Sequence, residues 1–354
     1  MKSILAFILI LSIYFLFPRI KQFFIEHYFH KKIVSKIDIL FLFRPTMFFV
    51  VWPLISIGMY LSYLEFMQYP QFILSCDIRT CLFFISNTLI IGATFIKNQM
   101  TDIETDRINK KLFLLDGCVE IDLTRKIYKI SLLVGFILLL ASNIYNVIIT
   151  SLIFIFWDFL YNNKPHEWKK NPFLGPLCNL IVCLLLLLSG WVFIASDGSY
   201  FLSFNKVINF NFFINVFPYL LIYLAVVIIT DIPDIKGDKN SHKNTFTIKF
   251  GQRNTMLFSL ILVVLSFFIS IYLNDPLASV SIICSIPFFC YGLFRGLNKD
   301  VLRSIRYPIF ILNFFTTTIF PYLFLAILVI YYLSKYYYWH RFDLSYPTLL
   351  VVND

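Results

Sequence analysis

The chain has 354 residues, of which 59% are hydrophobic and only 14% charged, and its mean hydropathy is +0.78. Soluble domains lie near half apolar and a quarter charged, so this composition excludes an ordinary soluble enzyme and a disordered chain and points to the membrane. A formal charge of +10 raises a nucleic-acid reading, which the placement of the charge removes below.

Residues 3–17 form the first apolar stretch. No small-residue cleavage site follows it, and Phe17-Pro18-Arg19 leads into a basic, aromatic segment ending at Lys36. An extra N-terminal anchor helix is therefore expected rather than a signal peptide. Roughly 20 apolar residues cross a bilayer core. Windows of that kind recur at 37–66, 80–99, 128–146, 147–161, 173–195, 212–231, 255–273, 277–295 and 308–334. Between the third and fourth, the turn signal is Ser142-Asn143 followed by Asn146. The expected fold is all-α, a polytopic membrane bundle of about nine transmembrane helices plus the N-terminal anchor. The expected organisation is an anchor and basic juxtamembrane segment over 1–36, one membrane domain over 37–340 and a C-terminal tail over 341–354.

If the spans alternate sides, one side holds 18–36, 101–129, 161–171, 236–253 and 295–306, with 23 of the 30 Lys and Arg. Arg44 and Lys97 lie at the ends of spans on that same side, while Lys2, Arg79, Lys206, Lys335 and Arg341 fall on the other. This is the positive-inside asymmetry, so the basic balance reports topology and places the richer side in the cytoplasm. A bacterial-type inner membrane is expected, or an organelle membrane in a eukaryote, and no nucleic-acid partner. The seven cysteines form no Cys-x-x-Cys pair. Cys76 and Cys81 are close enough in sequence to pair, although free buried thiols are the simpler expectation.

Two acidic clusters carry the chemistry. The first, Asn98-Gln-Met-Thr-Asp102-Ile-Glu-Thr-Asp106-Arg107, sets oxygen-bearing residues at i, i+4 and i+8, along one helix face. The second is Asp231-Ile-Pro-Asp234-Ile-Lys-Gly-Asp238-Lys239, with spacing i, i+3 and i+7, where Pro233 and Gly237 are expected to break the regular helix. Each begins where an apolar span ends, on the basic side. Five of the chain's 20 acidic residues occupy these positions. Carboxylates crowded on one face repel unless a cation sits among them, and oxygen-only ligands suit Mg²⁺, completed by water and phosphate oxygens. Facing clusters would hold Mg²⁺ ions around a diphosphate and neutralise its charge as it departs.

The pattern Asn98-x-x-x-Asp102-x-x-x-Asp106 followed by Asp231-x-x-Asp234-x-x-x-Asp238 resembles the UbiA superfamily of intramembrane prenyltransferases. The likeness is greatest to the homogentisate prenyltransferase and chlorophyll synthase branch. It extends through Ile108-Asn109-Lys110, Phe246, Phe250-Gly251-Gln252, the segment Tyr161 to Pro165, Lys169-Lys170 and Asn171-Pro172-Phe173, and Arg44-Pro45. The chain departs from the family at Lys111, where proline is usual, at Leu115-Asp116-Gly117, and at Lys164-Pro165, where the family has paired prolines. These departures flank the acidic motifs and bear on the acceptor.

The resemblance implies a prenyltransferase whose helices surround a cavity open to lipid, so that the isoprenoid tail avoids water. It implies Mg²⁺ on Asp102, Asp106, Asp231, Asp234 and Asp238 with help from Asn98. Arg107, Lys169 and Lys239 would meet the diphosphate of an isoprenoid donor, with Tyr161, Lys164 and Asn98 nearby. The acceptor would be a small hydrophobic or aromatic molecule, of the kind used in quinone- or tocopherol-type biosynthesis. His166 and His242 adjoin the motifs and could serve as bases, although loop histidines are the simpler reading. Two alternatives stay open. A terpene cyclase of the same superfamily would use the donor's own alkene as nucleophile. An ion-coupled transporter would need carboxylates near mid-span, which this sequence does not offer.

Overall fold

The computed structural model describes residues 33–67, 76–109, 111, 114–115, 117–196, 198–201, 204–207 and 209–348; the expected anchor over 3–17 lies outside them. Among the described residues the chain is helical, without a strand. The long helices are α1 (Phe48–Met67), α2 (Ile78–Thr101), α4 (Ile121–Leu139), α5 (Ile144–Phe154), α6 (Leu174–Ala195), α7 (Phe210–Ile229), α10 (Gln252–Tyr272), α11 (Pro276–Arg295), α12 (Asn298–Ile319) and α13 (Pro321–Phe342). Three short helices at one end of the bundle, α3 (Ile103–Ile108), α8 (Ile235–Asn240) and α9 (Phe246–Phe250), carry or follow the acidic motifs. Among the described residues, six stretches are long and apolar enough to cross a membrane: Asp38–Phe66, α2, α6, α7, α10 and α11; Ile144–Leu160 is a shorter apolar helix. Apolar side chains such as Leu133 and Ile137 on α4, and Leu265 and Phe268 on α10, are exposed on the outside of the bundle, the pattern expected where the surrounding solvent is hydrocarbon.

One expected span is corrected. The apolar run 308–334 is divided between α12 and α13 at Phe320-Pro321, where Pro321 opens the new helix. Proline at the first helical position lacks only an N–H that would be unpaired there anyway, so hydropathy runs unbroken across the turn. The chain therefore doubles back. Arg341 donates to both carboxylate oxygens of buried Asp38, at 3.1 and 3.0 Å, and the Tyr337 hydroxyl donates to the same carboxylate. Arg306, near the start of α12, reaches the Thr348 carbonyl at 3.0 Å. Arg341, expected at the opposite end, thus sits at the end of the bundle that holds the motifs.

Packing between helices relies on small residues and on polar side chains, because burial among lipid tails gives apolar surfaces little reason to associate. Helices α1 and α6 approach most closely at two reciprocal glycines. A Cβ on Gly58 would overlap the Leu187 carbonyl oxygen, and one on Gly190 the Ile55 carbonyl oxygen. Interhelical hydrogen bonds add register: Trp52 to Thr88 at 3.0 Å, Thr150 to Asn87 at 3.1 Å and Tyr219 to Asp275 at 2.7 Å. Asn143 caps α5 by accepting the Asn146 N–H at 2.9 Å, at the turn that the sequence marks. Cys76 and Cys81 are free thiols whose sulfurs are 3.0 Å apart.

Gly58→Ala and Gly190→Ala are expected to push α1 and α6 apart, each costing about 2 kcal/mol or more, since overpacking against backbone is not relieved by a rotamer change. A lowered midpoint in thermal unfolding of detergent-purified protein checks this; an unchanged midpoint contradicts the close crossing.

Candidate active site

The first motif is a helix with a kink. Helix α2 ends at Thr101, and Asp102 serves as its C-cap and as the first residue before α3. Its N–H still donates to the Asn98 carbonyl at 3.0 Å, and the Asp106 N–H to the Asp102 carbonyl at 2.8 Å. The i, i+4, i+8 register therefore survives the kink. In the second motif, Asp231 to Asp234 form a turn after α7, and Asp234 leads into α8. The expected break at Pro233 is present. Gly237, also expected to break the helix, instead lies inside α8. Its missing side chain makes room for the Asn109 amide, which a Cβ would meet at 2.5 Å.

Asn109 joins the motifs. Its carboxamide oxygen accepts the Gly237 N–H at 2.7 Å, and its amide nitrogen reaches the Asp234 carbonyl at 3.4 Å. Thr105 and Ser241 share a hydroxyl hydrogen bond of 2.7 Å across the same contact. These bonds lock α3 against α8, so carboxylates far apart in sequence share one polar patch.

Lysines and an arginine bridge the carboxylates. Lys243 lies between the motifs, 3.3 Å from Asp102 and 3.4 Å from Asp238. Lys111 makes the matching bridge, 2.7 Å from Asp234 and 3.7 Å from Asp106. Lys169 is buried and donates to Asp102 at 2.9 Å, to Thr101 at 2.7 Å and to Asn162 at 3.1 Å. Arg44 donates to Asp106 at 3.1 Å. Asn98 donates to Asp102 at 3.1 Å and to Asn162 at 3.0 Å. The π-helical turn Ile155–Leu160, a widening common at functional sites, precedes Asn162, which anchors itself on the Trp157 carbonyl at 2.7 Å.

Charge balance follows from these distances. Burial works against the Asp102 carboxylate, yet Lys169 and Lys243 together outweigh it and hold its pKa below the ordinary value. Burial also opposes charge on Lys243, and here Asp102 and Asp238 prevail and raise its pKa. Asp231 makes none of these ion pairs. Burial, with Asp238 and Asp234 nearby, pushes its pKa up to about 7.

Of the residues singled out in the sequence, Asn98, Asp102, Asp106, Asp234, Asp238 and Lys169 belong to this bonded network, and Asp231 adjoins it. Tyr161 is half-buried beside Asn162, whereas Arg107, Lys164 and Lys239 are exposed. His166 and His242 are exposed as well. Sequence reasoning missed the bridging roles of Lys111 and Lys243 and the struts Asn109 and Asn162. Lys111 had a signal, since it stands where the resembling family has proline; Lys243 had none beyond lying five residues past Asp238.

Comparison with protein families matches residues 51–314 to the UbiA prenyltransferase family. The chain belongs to that family.

Among relatives of this UbiA-family chain, 2-acylphloroglucinol 4-prenyltransferase from Humulus lupulus is 32% identical over 184 residues, 50% of this chain and 44% of that protein. Digeranylgeranylglyceryl phosphate synthase from Methanosphaera stadtmanae is 27% identical over 179 residues, 49% of this chain and 58% of that protein. The chain thus matches less than two thirds of either relative's length. A solved UbiA homologue from Archaeoglobus fulgidus, bound to DMAPP and Mg²⁺, superposes with a TM-score of 0.55 at 16% identity, covering 80% of this chain and 98% of that one. That likeness establishes the fold.

The donor set fits a hard divalent cation: carboxylate and carboxamide oxygens predominate, without thiolate or imidazole. Among the described residues no three acidic groups converge on one point. The carboxylates are instead held in pairs by the ammonium groups of Lys111 and Lys243.

Asn109→Ala is expected to leave the Gly237 N–H without its partner, at a cost of about 1–3 kcal/mol. Hydrogen exchange across 235–240 is expected to accelerate; unchanged protection there contradicts the strut.

Proposed function

We propose that this UbiA-family protein transfers a prenyl group from an isoprenoid diphosphate to an aromatic acceptor, with Mg²⁺ bound at the two acidic motifs. The observation that carries the proposal is the pairing of carboxylates from opposite motifs around shared cations, Asp102 with Asp238 and Asp106 with Asp234. The donors Asp102, Asp106, Asp231, Asp234 and Asp238, with Asn98, suit Mg²⁺, and the Archaeoglobus fulgidus homologue of the same fold is bound to DMAPP and Mg²⁺. When bound there, Mg²⁺ supplies charge neutralisation for the leaving diphosphate.

The chain's own residues do the rest. Lys169, fixed by Thr101 and Asn162, presents an ammonium group beside Asp102, where diphosphate oxygens would lie. Arg107 and Lys239 are exposed on the motif segments and Lys164 on the loop before Lys169, where a phosphate would bring them in. The allylic C–O bond breaks with its electron pair leaving on diphosphate. The resulting allylic cation takes an electron pair from a ring carbon of the acceptor, which then loses a proton. The Humulus lupulus relative is named for a phenolic acceptor of that class, which favours an aromatic partner over cyclisation of the donor alone. Position supports a catalytic mouth over a transport path, because the motifs lie at the end of the bundle and not at mid-span. By the positive-inside asymmetry that end faces the cytoplasm.

Diphosphate release from the purified protein with geranyl, farnesyl and geranylgeranyl diphosphates is expected to need both Mg²⁺ and a phenolic acceptor such as homogentisate. Asp102→Asn and Asp234→Asn are each expected to lower the rate by about 10²–10³, the usual consequence of removing a preorganised electrostatic partner. Release that persists in EDTA contradicts the proposal, and release without an acceptor replaces transfer with cyclisation.

A further inference from the structure

We infer that Lys111 and Lys243 are internal cation clamps. They hold the two acidic motifs together, and a divalent ion held by the same carboxylates would displace their ammonium groups. The inference rests on the metal-dependent reading above and assigns these two side chains a part in it.

Each lysine touches one carboxylate from each motif. Lys243 spans Asp102 and Asp238, and Lys111 spans Asp106 and Asp234. The two bridges use four different carboxylates, so together they tie the motifs at two places. The inner bridge is nearly dry: the Lys243 side chain is 10% exposed, with Asp102 at 11% and Asp238 at 7%. Buried like charges repel strongly and need a counter-ion. The outer bridge is wetter, with Lys111 42% exposed. Lys111 occupies a position where the resembling family carries proline, which has no cation to offer. The acidic pattern therefore does not itself require this clamp, and its presence is a property of this chain.

An ammonium nitrogen 2.7–3.7 Å from these oxygens and a Mg²⁺ ion bonded to the same oxygens at about 2.0–2.1 Å cannot share the space. Binding of one excludes the other. A lysine so displaced has four flexible carbons and three donors, and phosphate oxygens brought by the substrate are its nearest new acceptors. The clamp thus keeps the carboxylates neutralised and in register before metal and donor arrive, and weakens metal binding until they do.

The test is Mn²⁺ binding, followed by electron paramagnetic resonance, to detergent-purified protein without donor. It compares the natural chain with Lys111→Met, Lys243→Met and Lys243→Arg, and records thermal unfolding with and without Mn²⁺. Both methionine variants are expected to bind Mn²⁺ about tenfold more tightly. They are also expected to unfold at lower temperature without metal and to regain more of that loss when Mn²⁺ is added. Lys243→Arg, which keeps a cation in place, is expected to bind no more tightly than the natural chain. Lys111 lies at the wet margin, so its variant remains informative if Lys243→Met does not fold. Equal or weaker Mn²⁺ binding in Lys111→Met overturns the clamp while leaving the metal site standing. No Mn²⁺ binding by any form overturns the metal-dependent reading and the clamp with it.

Discussion

Five carboxylates gathered at one end of a lipid-embedded bundle repel one another, and the whole of that end is arranged to contain the repulsion. Lys111, Lys169, Lys243 and Arg44 supply the opposing charge at salt-bridge distance. Asp231 lies outside these pairs, and burial, with Asp238 and Asp234 nearby, raises its pKa. Burial multiplies both the repulsion and the attraction, so small shifts of a single ammonium group matter more here than on a soluble surface. Asn109 and the Thr105–Ser241 bond then fix the distance between α3 and α8 without charge.

The rest of the fold serves to bring the ends of α2 and α7 to that place. Close crossing of α1 and α6 at Gly58 and Gly190 sets the centre of the bundle. The returning helix α13 seals the motif end by pairing Arg341 with Asp38, a few residues before Arg44. Arg44 in turn reaches Asp106. A continuous path of contacts thus runs from the last helix to the first acidic motif.

Much of this was legible in the sequence because it is local. Carboxylate spacing in each motif is a property of a few consecutive residues, and apolar windows register the long helices one at a time. What escaped was what depends on tertiary packing. The division of 308–334 at Phe320-Pro321 hides in a largely apolar run, because Phe320 at the turn is buried and its neighbours Ile319 and Pro321 are apolar. Lys111 and Lys243 read as two more loop lysines on the basic side, since only the docking of α3 on α8 decides that each bridges the two motifs. Gly237 read as a breaker for the same reason: its role is to admit Asn109, a residue more than a hundred positions away. Arg107, Lys164 and Lys239 look equivalent to Lys169 in sequence, yet only Lys169 is buried among the carboxylates.

Both motifs are proposed to act as one diphosphate site. Calorimetric titration of geranylgeranyl S-thiolodiphosphate, which resists ionisation, into the purified protein tests it most directly. Binding is expected to require Mg²⁺ and to be lost equally when either Asp106 in the first motif or Asp238 in the second is changed to asparagine. Binding that is unchanged in EDTA, or that depends on one motif and ignores the other, would contradict it.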